Sequence, residues 1–308
     1  MSSSSDALHI LQAPSTIEIS TIVAKSTPAS SSHVGLLLEV KVKFSKTMEV
    51  RLAEATRVAV LLSPAKMSSR LHALPNQMKA KSGGFWRGYF YFFMSLLIAA
   101  TAVYGFSHTI DHNLIHRSPL PPFVLYIHAI VFPAWIVFFI VQSALIRSHN
   151  VHLHRSLGWF GVGLAVASII VGALTAISMA RFEQQDPFNS AAFLIVQVMD
   201  LSSFAVPFAL AIYWRKRPEF HRRLVLIASC ALLDAAFGRF PALPLVFSPA
   251  GVDALICLGV IRDLIVDRRV HKVYLYALPM LIVWQIVAVE TFVHASSWWT
   301  NIAHSILR

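Results

Sequence analysis

PFVLYIHAIVFPAWIVFFIVQSALI (Pro122–Ile146) and LGWFGVGLAVASIIVGALTAISM (Leu157–Met179) flank RSHNVHLHRS (Arg147–Ser156). Neither flanking run contains Lys, Arg, Asp or Glu. Each exceeds the roughly 20 apolar residues that a helix needs to cross hydrocarbon. The segment between them is basic and rich in histidine. Uncharged, basic, uncharged is the pattern of two membrane helices joined by a loop on the cytoplasmic side.

Five more apolar runs extend this pattern: Gly88–Ser107 before it, then Ala191–Trp214, Leu224–Phe240, Ala250–Val266 and Val273–Ala295. Backbone polar groups cannot go unpaired in lipid, and these segments are too long for barrel strands, so helices are expected throughout. The expected fold is an all-α, polytopic transmembrane helical bundle of about seven spans. Composition agrees: the 308-residue chain is 56% hydrophobic and 13% charged, against roughly 25% charged residues in an ordinary soluble domain. The sixth run is the weakest, with Asp253 near one end and Arg262–Asp263 at the other. In the third, Gly158, Gly161 and Gly163 are expected to permit close helix packing.

The net charge of +11 is distributed by side. Lys79, Lys81, Arg87, Arg147, Arg155, Arg215, Lys216, Arg217, Arg222, Arg223, Arg268, Arg269 and Lys272 fall in one set of loops; the alternate set holds Arg117, Arg181, Arg239 and Arg308. This bias predicts a cytoplasmic N-terminus, an outside C-terminus and an odd number of crossings. It also assigns the basic residues to the bilayer rather than to nucleic acid. Arg155, Arg222, Arg223, Arg268, Arg269 and Lys272 are candidate contacts for lipid headgroups. The expected setting is a bacterial inner membrane, with a membrane-protein partner or homo-oligomer left open. Cys230 and Cys257 lie in apolar runs and read as small buried residues.

Residues 1–80 read as an extension, followed by a membrane domain over 81–308. Met1–Ser32 is rich in Ser, Thr and Ala and is expected to be poorly ordered. Charges from Glu39 to Arg57 interrupt the apolar runs that follow. Residues 1–77 are expected to be dispensable for insertion, with Met67 or Met78 a more natural start.

Ionisable groups inside spans cost roughly 2.5–3.5 kcal/mol each on insertion scales, so each requires a reason. Counting from the expected outer surface places His128, Gln197, Asp200, Asp234, Arg239, Asp253 and Glu290 mostly in one half of the bilayer, with Gln285 nearer the centre. This predicts a shared polar pocket opening outward. One reading is internal neutralisation, with Arg239 paired to Asp200, Asp234 or Asp253. The other is a site for a proton, a solute or a cofactor.

Three histidines recur at the inner helix entrances: His154-Arg155, His221-Arg222 and His271-Lys272. A neutral imidazole there can cap free helix N–H groups while the adjacent base reaches the headgroups. Alternatively, His154 and His221 could bind an iron from two helices. The stretches Tyr104-Gly-Phe-Ser-His108, Leu125-Tyr-Ile-His128, His154-Arg-Ser-Leu-Gly158 and Pro218-Glu-Phe-His-Arg-Arg-Leu224 resemble a group of uncharacterised bacterial multi-span proteins and, more distantly, cytochrome b561-type transmembrane haem proteins. The resemblance spans about Gly88 to Ala295. It implies haem b as cofactor, with His154 and His221 as inner ligands and His128 with His108 or His294 as outer ligands. Electron transfer would then be the activity. No GxxxxGK[ST], HExxH, paired CxxC or GxSxG occurs, so nucleotide-driven and hydrolase chemistry have no support. Three functions remain: a membrane protein of unassigned role, a b-type haem electron carrier, and a proton- or solute-handling protein.

Overall fold

The computed structural model describes residue 86 and residues 88–183 and 187–308. The readings of residues 1–80 lie outside these. The described residues are helical and contain no strand. The helices are α1 (Phe90–Ser107), α2 (Phe123–Arg147), α3 (Val151–Phe182), α4 (Pro187–Tyr213), α5 (Pro218–Ala231), α6 (Asp234–Phe237), α7 (Ser248–Asp267), α8 (Lys272–Val293) and α9 (Ser297–Leu307). A π-helical turn at Asp111–Ile115 and a 3₁₀ turn at Leu245–Phe247 complete them.

Local chemistry explains several boundaries. Asn150 caps α3 by accepting from Leu153 N at 3.2 Å, and Pro218 occupies the opening turn of α5, where a missing N–H costs nothing. His271 caps α8, its Nδ1 accepting from Val273 N at 3.2 Å. This is the capping role expected of an entrance histidine.

Six helices are long and apolar enough to cross a bilayer. They carry exposed apolar side chains along their length, among them Val103, Ile130, Phe160, Ile170, Val206 and Met280. Water would not tolerate that much contiguous apolar surface. The chain is a multi-pass integral membrane protein.

The fifth apolar run differs from its expected form. It is not one helix over Leu224–Phe240 but α5, a break at Leu232–Leu233, the short α6, and turns leading to Leu245. α5 packs against α1, α4, α7 and α8, and every residue from Leu226 to Ala231 is buried. A helix enclosed by protein can stop within the membrane because its neighbours, not lipid, surround the break. Two glycines seat the piece beyond it. A Cβ on Gly105 of α1 would lie 2.3 Å from the Ala236 carbonyl oxygen, and one on Gly251 of α7 would lie 2.6 Å from the Phe237 ring. Only bare helix surfaces let α6 come that close. In α3, by contrast, Gly161 abuts Phe138, while Gly158 and Gly163 face open space, so the small-residue stripe packs at one of its three expected glycines.

The two sets of loops gather at opposite ends. At the basic end Arg147 hydrogen-bonds the Tyr89 hydroxyl, His154 meets His221, and Phe220 meets His271. At the other end Arg117 pairs with Glu183, and Arg239 bonds Thr109. The amphipathic α9 lies there too, packing Trp299, Ala303 and Leu307 against α3 and α4. Trp299 donates to the Ala191 carbonyl at 3.1 Å, and Arg181 caps the end of α9 through the Leu307 carbonyl at 3.1 Å.

Candidate functional site

The break between α5 and α6 places Asp234 at the start of α6, only 4% exposed. Asp200 and Ser203 approach from α4, and Gln285 from α8. Together with Met199, Ala231, Val252 and Leu281 they enclose a cavity of about 10 Å³. The Asp200 and Asp234 carboxyls thus line the same cavity from two elements. From α7, Asp253 Oδ1 accepts from Gln285 Nε2 at 3.2 Å, which brings a third carboxyl to the rim. Asp200 Oδ1, Asp234 Oδ1 and Ser203 Oγ are buried without a hydrogen-bond partner.

The outward polar set therefore converges in part. Asp200, Asp234, Asp253 and Gln285 come together. Arg239 does not pair with them: its guanidinium donates to Thr109 Oγ1 at 3.1 Å and to the Ala235 carbonyl, and lies over the Phe106 ring. Among the described residues no ion pair reaches any of the three aspartates. The neutralisation expected from Arg239 is confined to its field, which extends to Asp200 and His128. His128 stacks on Phe132 with ring centres 3.9 Å apart, and its Nδ1 is buried and unpartnered. Gln197 Oε1 is likewise unpartnered. Glu290 bonds His294 on its own helix at 3.1 Å, away from the cavity lining.

A second polar centre sits at the basic end. Arg223, 1% exposed, donates from Nε and NH2 to the two oxygens of Asp263 at 2.8 and 2.7 Å, and from NH2 to Asp267 at 3.0 Å. Its NH1 reaches the Glu219 carboxylate and backbone carbonyl at 2.5 and 2.8 Å. Arg262 NH1 donates to Asp263 and Asp267, both at 2.9 Å. Arg222 pairs with Glu219 from the partly exposed side. Three arginines thus face three carboxylates. Burial pushes the Glu219 carboxyl upward, but the hydrogen bond from Arg223 and the fields of Arg222, Arg223 and Arg262 leave it below the usual carboxylate range. Burial, and then the Arg223 guanidinium, hold the His271 imidazole below the usual histidine range.

This network corrects one expected headgroup contact. Arg223 is enclosed and its donors are taken by carboxylates, so it has nothing to offer lipid. Arg222 is half-buried against Glu219 and Tyr91. Arg155, Arg268, Arg269 and Lys272 are exposed. The network itself escaped the sequence reading, although Arg222-Arg223 and Arg262-Asp263 were both noticed. The available signal was the balance of acids and bases at one end of two neighbouring runs.

The inner histidines do meet. His154 of α3 and His221 of α5 have ring centres 6.4 Å apart, and His221 Nδ1 is held by the Ala211 carbonyl at 3.0 Å. With metal–imidazole bonds of roughly 2.0–2.1 Å, ring centres across one ion stand about 6 Å apart. The separation of the inner pair is of that order. At the outer end His128 lies on Phe132, His108 Nδ1 bonds its own helix at the Tyr104 carbonyl, and His294 bonds Glu290. Of the five histidines that the resemblance names, the structure brings His154 and His221 together and leaves the other three with separate neighbours. No protein-family model, curated protein or solved structure matches this chain.

Proposed function

We propose that this protein handles protons within the membrane, through the carboxyl pair Asp200–Asp234 with Asp253 at its rim. The basic end faces the cytoplasm by the positive-inside rule, and the chain makes seven passages, the fifth of them discontinuous. The observation that carries the reading is three interior carboxyls with no ion-pair partner among the described residues, two of them lining one water-sized cavity. Buried charge that only glues helices is paired. Carboxyls left unpaired stay neutral by keeping protons, and can release them when water or a conformational change reaches the site. The broken fifth passage supplies irregular backbone at that depth, where transporters place their sites.

The test is proton uptake into liposomes carrying the purified protein. Asp200→Asn and Asp234→Asn preserve shape and polarity, but neither can release a proton. Uptake by the wild type that is lost in both variants supports the proposal. Equal uptake in all three rejects it and leaves the aspartates as structural groups.

The spacing of His154 and His221 favours a second reading, a b-type haem held at the inner face. Bound there, haem would supply one-electron transfer. A reduced-minus-oxidised difference spectrum of protein from haem-replete cells tests it, and a colourless protein removes it.

A further inference from the structure

We propose that the Asp200–Asp234 cavity is the binding site of one dehydrated, sodium-sized monovalent cation, which takes the place of a proton on the pair. The inference rests on the proton-handling reading and names the ion exchanged.

The donor set selects the class of ligand. Asp200, Asp234, Ser203 and Gln285 present carboxyl, hydroxyl and carboxamide groups, and the rest of the lining is apolar. No imidazole or thiol contributes. Oxygen donors of this kind suit hard cations, whereas soft transition metals prefer nitrogen and sulfur.

The orphaned atoms identify where a ligand belongs. Ser203 is 5% exposed and Asp234 is 4% exposed, and Ser203 Oγ, Asp200 Oδ1 and Asp234 Oδ1 all lack partners. Buried polar oxygens without a hydrogen bond each cost free energy. Three of them converging on one cavity are explained together by a cation coordinated between them.

Size and charge narrow the choice. The cavity of about 10 Å³ matches the roughly 10–15 Å³ that holds a single water. An organic solute does not fit, and neither does magnesium with the waters it keeps. A buried carboxyl with no ion-pair partner stays neutral by keeping its proton, so one monovalent ion can replace one proton on the pair with no change in net charge. The other charged or titratable groups facing the pair are Asp253 from α7 and Arg239 beyond α6. The field of Arg239 on Asp200 opposes a second positive charge, which disfavours a divalent ion. The exchange balances: one proton leaves the carboxyl pair as one cation enters.

The experiment uses the purified full-length protein in detergent. Thermal unfolding is followed in sodium chloride against choline chloride at matched ionic strength, alongside equilibrium binding of radioactive sodium. Sodium should raise the unfolding temperature over choline. Because proton and cation compete, the apparent sodium affinity should fall about tenfold for each unit of falling pH where the pair is protonated. Asp234→Asn and Asp200→Asn should each abolish the sodium effect, and Ser203→Ala should weaken sodium binding several-fold. If one aspartate variant fails to fold, the other variant and the pH dependence of the wild type still decide.

The proposal is overturned if sodium and choline act alike from about pH 6 to pH 9. Sodium stabilisation that persists in both aspartate variants overturns it too, as does stabilisation by calcium in place of sodium. Aspartate-dependent proton uptake without any sodium effect would sink this inference and leave the proton reading standing. Uptake independent of the aspartates would remove both.

Discussion

Asp263→Asn tests the charge balance of the basic end most directly. Asp263 is fully buried and accepts four hydrogen bonds: two from Arg223, at 2.8 and 2.7 Å, one from Arg262 at 2.9 Å, and one from the His271 backbone N–H at 3.3 Å. Asparagine is nearly isosteric but replaces one accepting oxygen with an NH₂ group. Whichever way it turns, two donors then point at one another. The substitution also leaves Arg222, Arg223 and Arg262 facing only Glu219 and Asp267, so one positive charge is enclosed without compensation. Removing one partner of a buried pair costs about 3–5 kcal/mol, equivalent to about two to three and a half powers of ten in the folded-to-unfolded ratio. Reversible unfolding of detergent-solubilised protein measures this. Arg222→Gln is the internal control. Arg222 belongs to the same helix and the same cluster, but its pair with Glu219 is partly solvent-exposed, and such pairs contribute about 0–1 kcal/mol. Adding Arg262→Gln to Asp263→Asn restores neutrality, so the double variant should lose clearly less than the sum of the two single losses. A loss below about 1 kcal/mol for Asp263→Asn, or strict additivity in the cycle, would show that the enclosed charges do not depend on one another.

Three other perturbations follow from particular contacts. His271 has a folded-state pKa held below its ordinary value of 6.5, so the unfolded chain binds the proton more tightly. Stability should therefore drop as pH falls through about 6.5 and below. His271→Asn keeps a cap and should flatten that slope in thermal melts; an unchanged slope assigns it to other groups. Gly105→Leu places side-chain atoms against the Ala236 carbonyl and should cost about 1–3 kcal/mol by overpacking, with loss of proton uptake as Asp234 shifts. Gly158→Ala, with nothing within 4 Å, should be neutral or stabilising by up to about 1 kcal/mol. Equal melting of these two glycine variants would contradict the seating of α6. Arg181→Gln removes the hydrogen bonds to the Leu307 and Ile306 carbonyls and should speed proteolysis within α9 several-fold, with an unchanged digestion pattern counting against the cap.

The membrane class and six of the helices were legible because lipid exposure writes itself into composition. A helix facing acyl chains is apolar on the side away from the bundle, and Val103, Ile130 and Met280 record that. The fifth run obeys a different rule. α5 is surrounded by protein, so Ala228, Ser229, Cys230 and Ala231 are small to suit helix neighbours rather than apolar to suit lipid. Hydropathy cannot separate these causes, and a broken element was therefore read as one long span. Asp234, Gly238, Pro241 and Pro244 were visible interruptions. Their structural meaning depends on α1 and α7 covering the break, which is a long-range fact. α9 lies beyond the last apolar run, yet Trp299, Ala303 and Leu307 recur at four-residue spacing as a single buried face should.

Depth along a helix can be counted from sequence; facing cannot. Gln285 and Glu290 lie close in depth on α8, but five residues turn a helix by about 140° beyond a full revolution. Gln285 therefore reaches the cavity while Glu290 bonds His294. The same limit separates Arg222 from Arg223, adjacent residues about 100° apart around α5. One lies over Tyr91 at the half-exposed side, and the other is engulfed by carboxylates of α5 and α7. Residue type and depth alone gave both the same expected role at the headgroups. What distinguishes them is the placement of Asp263 and Asp267 on a helix that begins 25 residues after Arg223, and that placement is set by the packing of the whole bundle. The three interior aspartates show the opposite outcome. Asp200, Asp234 and Asp253 come from three elements whose faces could not be known, yet all three turn inward, because lipid penalises any other orientation by several kcal/mol per charge. Polar residues deep in the membrane are hence the part of a site that sequence can announce. Those near its ends, which water and headgroups can satisfy in many directions, must be found in the packed chain.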